Sequence, residues 1–183
     1  DPEMRVGLFL IISVSATLFL RHFVGAAEVG AEVETAKALN ALWGSVFTVI
    51  SFLTTTGFVS VYWADAQSWS GLTTPGFALL GLAMIGGGVA TTAGGVKLLR
   101  VFALYVHGRR ELLKLTHPSI ISGTGKQGRE IGPRGVYVAW LFFMLFALSV
   151  AAVWIGLAAT GIPFESAMLL TVSAITTTGP LAP

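Results

Sequence analysis

The sequence predicts an all-α membrane protein assembled from two copies of one helical unit, and three observations carry that expectation. Of its 183 residues, 54% are hydrophobic and only 11% charged, with a mean hydropathy of +0.80, whereas a soluble domain carries about 25% charged residues. Two apolar runs are long enough to cross a bilayer, which takes about 20 residues. A short threonine-rich motif then recurs in register in the two halves of the chain. The absence of cysteine excludes disulfide frameworks, thiolate metal sites and thiol nucleophiles, and leaves the redox compartment open. The net charge of +2 and pI near 9.2 come from too small and too local an excess to indicate nucleic acid as a partner. They read as a topology signal.

Residues 5–24 form the first expected span, closed by Arg21, His22 and Phe23. The run is too long for the apolar region of a signal peptide, about 7 to 15 residues, and no small-residue cleavage site leads from it into a soluble domain. Residues 36–53 are apolar but short, 75–85 shorter still, and 86–95 rich in glycine, so none of the three is expected to span alone. The stretch 108–133 is polar, with Arg109, Arg110, Lys114, Lys126 and Arg129, and Arg134 just beyond, against Glu111 and Glu130. The positive-inside rule makes it a cytoplasmic basic loop. Glu28, Glu32, Glu34 and Asp65, with Lys37, fall in the opposite loops. A second clean span is expected over 135–159, with Trp140 and Trp154 placed as interfacial anchors and enough length to tilt. Parity then requires 36–53 to enter from outside and return to the same side, while 75–106 crosses inward as one interrupted helix.

The repeat sets Ser51-Phe-Leu-Thr54-Thr55-Thr56-Gly57-Phe58 against Ser173-Ala-Ile-Thr176-Thr177-Thr178-Gly179-Pro180, and Val49-Ile50 against Thr171-Val172. Each copy follows a short apolar helix, 36–53 or 163–175, that itself follows a full span. Pro163 suits the first turn of the second short helix, and Glu165 complements the positive end of its dipole. The unit is therefore span, pore-type helix, Thr-Thr-Thr-Gly strand (54–58 and 176–180), span. The second copy stops at Pro183 before its last helix, so the chain is expected to be incomplete.

Non-helical backbone at membrane depth is tolerated only when buried in protein or lining a water-filled path, so both segments are expected to face a pore. Each threonine offers a carbonyl oxygen, and a hydroxyl that can hold the strand or add a ligand. Gly57 and Gly179 are expected at positive φ, where glycine carries no steric cost and successive carbonyls can point inward. Rings of such oxygens replace the hydration shell of a bare monovalent cation, and the negative C-terminal ends of the short helices favour the same charge. One copy alone would pass for an ordinary loop with a glycine turn. Two in register, each behind a short apolar helix, argue against that.

Residues 86–95 hold five glycines, Gly86, Gly87, Gly88, Gly94 and Gly95, together with Thr91 and Thr92. A phosphate-loop reading fails because Val96 precedes Lys97 and Leu98 follows it, with no strand before; a dinucleotide fingerprint fails because Thr91 stands where its last glycine belongs. Two readings stay open: a helix unwound at membrane depth, as at transporter sites and gates, or close helix packing through small residues. The composition favours the unwound loop. Lys97 and Arg100 are then placed to pair with acids or carbonyls, or to snorkel to headgroups. His22, His107 and His117 fall at interfaces or in the polar loop, which leaves no intramembrane base and argues against an intramembrane hydrolase. Asp65 and Glu165 are expected on an outer rim, solvated or drawing cations.

Together the paired Thr-Thr-Thr-Gly segments, the broken helix from Met84 to Lys97 and the order of elements resemble the Trk/Ktr potassium-transporter superfamily, its TrkH-like branch most closely, over nearly the whole chain. The resemblance implies a potassium-channel-like architecture of four linked repeats around one pathway, with this chain holding the third repeat and most of the fourth. It implies that the backbone carbonyls of Thr54, Thr55, Thr56 and Gly57 and of Thr176, Thr177, Thr178 and Gly179 bind potassium as two of four filter strands. It also makes the segment of Gly86, Gly87, Gly88, Thr91, Thr92, Gly94 and Gly95 a gate loop. The implied setting is a bacterial inner membrane, and the implied partners are the missing repeats of the same protein, a second copy in a homodimer, and a cytosolic nucleotide-binding regulatory subunit on the basic loop. No organic cofactor and no enzymatic activity are expected. A closed filter cannot form from this chain alone, and the arginine expected beneath the gate lies outside it. A sodium-dependent Ktr-type transporter and a weakly selective cation channel remain alternatives, since neither segment carries the full Thr-Val-Gly-Tyr-Gly pattern of stricter potassium filters.

Overall fold

A computed structural model describes residues 2–29, 35–70, 76–116 and 133–179. They form seven helices: α1 (Pro2–Val29), α2 (Thr35–Leu53), α3 (Trp63–Ser70), α4 (Gly76–Ile85), α5 (Leu98–Thr116), α6 (Pro133–Ala158) and α7 (Phe164–Thr176). No strand occurs among the described residues. The longest are α1 and α6, with 28 and 26 residues, or about 42 and 39 Å at 1.5 Å per residue. Both exceed the roughly 30 Å hydrocarbon core of a bilayer.

Helix α2 stands against α1, α3 and α4, and α1 also touches α3 and α5. Its Gly44 explains how the returning chain comes so close: a Cβ there would lie 2.4 Å from the carbonyl oxygen of Tyr62, just before α3. Ser60 starts α3, its hydroxyl accepting the Tyr62 N–H at 3.2 Å and its carbonyl the Trp63 N–H at 3.0 Å. Asp65 in the first turn of α3 complements the helix dipole.

The packing centre is α4, whose ten residues are apolar on every face, the pattern of a helix enclosed by others. Its Leu79, Leu80, Leu82 and Ala83 are buried with Leu18 of α1, Val49, Phe52 and Leu53 of α2, Leu98 of α5 and Val172 of α7. One core therefore joins both copies of the repeat. Helix α6 contrasts with this: its span Gly135–Ala158 has no fully buried stretch, and its large apolar side chains, among them Leu141, Phe142, Leu145 and Leu148, face outward, which suits a lipid environment.

Several boundaries differ from the sequence expectation. Helix α1 continues past residue 24 to Val29. Ala36–Leu53, expected to be too short to span, is long and apolar enough to do so, as are Glu3–Arg21 and Gly135–Ala158. Length does not separate a re-entrant helix from a span so near the threshold; the chain turns at the buried C-terminal end of α2. The polar stretch from 108 is not all loop, since α5 runs on to Thr116. Arg109, Arg110, Leu112, Leu113 and Lys114 are good helix formers, and Lys114 pairs with Glu111 at 2.7 Å one turn away. The hydrogen bond from Lys114 holds the Glu111 carboxyl below its usual range. Residues 117–132, with Lys126 and Arg129, lie outside the described residues. Pro163 is the N-cap of α7 rather than its first helical residue, its carbonyl accepting the Ala167 N–H at 2.9 Å. Finally, α7 runs one residue further than expected and takes in Thr176.

Candidate ion-conduction site

Both Thr-Thr-Thr-Gly segments lie at the C-terminal end of a helix, where the last carbonyls lack intrahelical donors. The first closes on Ser51. Its carbonyl accepts the N–H groups of Thr56 at 3.0 Å and Gly57 at 3.3 Å, and the hydroxyls of Thr56 at 3.1 Å and Thr54 at 3.2 Å. Thr54 also donates to the Ile50 carbonyl at 2.9 Å, and its hydroxyl meets that of Thr56 at 3.0 Å. The second segment closes on Ser173 in a related way, with the accepted N–H groups one position earlier. Its carbonyl accepts the N–H groups of Thr177 and of Thr178, the latter at 3.0 Å, while the Thr176 hydroxyl donates to Val172 at 2.7 Å and pairs with the Thr178 hydroxyl. Thr55 and Thr177 occupy the same left-handed conformation, at φ 55° and 60°.

Two expectations are corrected here. The segments begin as helix-ending turns rather than strands, because the serine carbonyl four to six residues back captures the following N–H groups. Gly57 has the expected positive φ of 78°, but Gly179 does not, and among the described residues nothing beyond its chain neighbours lies within 4 Å of where its Cβ would stand. Gly179 precedes Pro180, whose ring restricts the residue before it, where Gly57 precedes Phe58.

The segments also differ in burial. In the first, Thr55 and Gly57 are buried and Thr54 and Thr56 exposed; in the second, Thr176 and Thr178 are buried and Thr177 and Gly179 exposed. The carbonyls of Thr54, Thr55, Thr56 and Gly57 accept no hydrogen bond among the described residues. In the second segment Ser173 Oγ donates to the Thr178 carbonyl at 2.9 Å and Thr177 Oγ1 to that of Thr176 at 2.6 Å.

Between α4 and α5 the helix is broken over residues 86–97, and this loop is closed on itself. Val96 and Lys97 donate back to the carbonyls of Met84 and Ile85 at 2.9 and 2.8 Å, and Leu98 to that of Gly87 at 3.1 Å. Gly86 and Gly95 have φ of 71° and 77°, and a Cβ on either would drive into backbone, 2.0 Å from the Gly94 oxygen and 2.6 Å from the Met84 oxygen. Gly87 lies against Ala93 and Thr91, and Thr91 closes a turn on the Gly88 carbonyl through its N–H at 3.1 Å and its hydroxyl at 2.6 Å. Thr92 is exposed. Lys97, at φ 81°, turns its ammonium inward onto the carbonyls of Thr91, at 3.0 Å, and Ala93. Of the two fates open to it, carbonyl pairing is the one observed. Arg100 reaches the Val96 carbonyl at 3.3 Å and lies 4.0 Å over the Phe142 ring.

Gly94 joins the three pieces. Its N–H donates to Thr55 Oγ1 at 2.8 Å, and a Cβ on it would lie 2.4 Å from the carbonyl oxygen of Thr176. Thr55 and Thr176 are nearly or wholly enclosed, at 6% and 0% exposure. The structure thus brings the sequence-predicted residues of both segments and the glycine-rich stretch to one place, at the C-terminal ends of α2 and α7. Ser51, Ser173 and Glu3 were not among them. The serines share one register position in the two copies, a signal the sequence did contain; Glu3, which accepts the Val89 N–H at 2.6 Å, had none. Among the described residues no group of three or more His, Cys, Asp or Glu stands together.

Apolar helices that end on oxygen-lined turns, packed about a broken helix among helices of spanning length, define an all-helical membrane protein. Residues 6–181 match the family model TrkH, described as cation transport protein, and the chain belongs to that family. It is 34% identical to the Trk system potassium uptake protein TrkH of Halomonas elongata over 88% of this chain and 31% of the relative. Against the protein of that name from Vibrio parahaemolyticus it is 31% identical over 98% of this chain and 35% of the relative. The crystal structure titled potassium transporter TrkH from Vibrio parahaemolyticus superposes with a TM-score of 0.77 at 27% identity, covering all of this chain and 36% of that one. The chain spans about a third of the length of these relatives.

Proposed function

We propose that this chain supplies two filter segments and a gate to a potassium-conducting protein of a bacterial inner membrane. The carrying observation is that two Thr-Thr-Thr-Gly turns, each closed on the serine of its own copy, meet at Gly94. Potassium would be held by the backbone carbonyls of Thr54–Gly57 and Thr176–Gly179 in place of its water, with the negative ends of α2 and α7 adding to the attraction. Residues 86–95, packed against both turns, would obstruct the path from one side. The division into a third-type repeat, residues 1–107, and a fourth-type repeat from 134, joined by the basic stretch 108–133, belongs to the same proposal. So do a homodimer, further repeats completing the filter, and a cytosolic nucleotide-binding subunit on the basic stretch.

Rubidium uptake into liposomes holding the full-length protein tests the reading. Block by excess potassium and not by excess sodium is expected; equal block would favour a weakly selective cation pathway, the reading to which the unlike conformations of Gly57 and Gly179 lend weight. Stimulation of uptake by sodium would favour a sodium-dependent transporter. Deleting part of 86–95 is expected to raise flux at matched expression, and equal or lower flux would remove the gate assignment.

A further inference from the structure

Two side chains distant in sequence accept backbone N–H groups of the glycine-rich loop. Thr55 holds Gly94 beside the first Thr-Thr-Thr-Gly turn. Glu3, in the first turn of α1 and 86 residues away in sequence, accepts the Val89 N–H on Oε1 at 2.6 Å. The neighbouring Gly88 is fitted to the same group, since a Cβ there would stand 3.3 Å from Oε1 and 3.4 Å from the carboxyl carbon. Hydrogen bonds between backbone N–H and a carboxylate are shorter and stronger than neutral ones. Val89 lies at the exposed tip of the loop, where no regular helix supplies an acceptor for its N–H.

The contact also has space beside it. A cavity of about 370 Å³ is bounded by Glu3 and Gly7 of α1, Thr54 of the first turn, Gly87 and Gly88 of the loop, and Leu98 of α5. The tip therefore has somewhere to go when Glu3 lets it go, while Thr55 and the Lys97 contacts still hold its other end. We infer that Glu3 is a positioning residue that latches the tip of the glycine-rich loop to the first span, and that breaking the latch raises conduction. The inference rests on the reading of this loop as a gate. Glu3 acts through the loop and is not assigned a place on the ion path.

The test uses the full-length protein with Glu3→Ala, Glu3→Gln and Glu3→Asp, read by rubidium uptake and by hydrogen–deuterium exchange of the peptide covering 86–97. Gln keeps an acceptor at the same reach without charge, and Asp keeps the charge without the reach. Glu3→Ala and Glu3→Asp are expected to raise uptake by about tenfold, the size a hydrogen bond to a charged group carries in an equilibrium. They should also speed exchange in the loop, while Glu3→Gln, which keeps the acceptor without its charge, raises uptake by about threefold, and potassium-over-sodium competition is unchanged in all three. Parent-like uptake or exchange in Glu3→Ala overturns the latch, even where the shortened loop conducts faster. A Glu3→Gln protein that behaves like Glu3→Ala, with Glu3→Asp like the parent, overturns it in favour of bare charge. A shortened loop that conducts no faster overturns the gate itself, and the latch with it. A general loss of folding would slow uptake in all variants, the opposite of the expected direction.

Discussion

The two Thr-Thr-Thr-Gly segments share several closing hydrogen bonds, yet they are buried in opposite phase. Thr54 and Thr176 both donate one turn back, Thr56 and Thr178 both give their N–H to a serine carbonyl, and Thr55 and Thr177 are both left-handed. In the first copy the middle threonine and the glycine are buried; in the second the outer two threonines are. The difference follows from Gly94, which meets the first segment at a side chain, Thr55 Oγ1, and the second at its backbone, the Thr176 carbonyl. The local motif thus determines the turn, and the neighbour determines which side of the turn is left open. Among the described residues, only the first copy adds a second left-handed residue, Gly57, and leaves all four carbonyls of its segment without protein donors.

The largest effect on that comparison is expected from Gly94→Ala. Its methyl would stand 2.4 Å from the Thr176 oxygen and 2.7 Å from the Thr176 carbon, a clash with backbone that no rotamer relieves, so a cost above about 3 kcal/mol is expected. Thermal unfolding of the purified protein in detergent should show a fall of many degrees or failure to assemble, and a parent-like transition would mean the segments are not wedged on Gly94.

Next come the glycines. Gly57→Ser places a side chain at φ 78°, costing about 1–2 kcal/mol, and is expected to weaken potassium-over-sodium competition in rubidium uptake; Gly179→Ser is expected to weaken it much less. Equal losses would mean the two copies carry the same constraint despite their different φ. Thr55→Val removes the acceptor of the Gly94 N–H and leaves a part-buried donor unpaired, at about 1 kcal/mol, whereas Thr177→Val at an exposed position should change stability by less than about 0.5 kcal/mol. Denaturation midpoints of the pair would reveal an absence of that asymmetry. Smallest is the serine pair: Ser173→Ala loses a buried donor to the Thr178 carbonyl, about 1 kcal/mol, and Ser51→Ala a longer hydroxyl contact of 3.2 Å and a few tenths. A larger effect at Ser51 would reverse the assignment of which turn its serine side chain holds.

The sequence made the helices legible because their apolar runs are long and their interruptions are glycines that only an unwound chain needs. The break at 86–97 is of this kind, with Gly86 and Gly95 each facing backbone where a Cβ would stand. The turn geometry was less legible. A left-handed residue points to glycine, so β-branched Thr55 and Thr177 gave no warning that they hold that conformation, and the burden fell in expectation on Gly57 and Gly179. Pro180 was the available sign that the second glycine differs. The extension of α5 to Thr116 was masked by charge, which marks a water-facing segment whether it is helical or not. Glu3 was illegible in principle, because its partner is a backbone N–H 86 residues away with no side chain to pair in sequence.

The account stands on both segments facing one ion path, and anomalous X-ray scattering from crystals of the full-length protein grown in rubidium tests that most directly. Rubidium peaks are expected within coordination distance of the carbonyls of Thr54–Gly57 and of Thr176–Gly179, shared between them and lost on exchange into potassium. Peaks elsewhere, with none at either segment, would contradict the account.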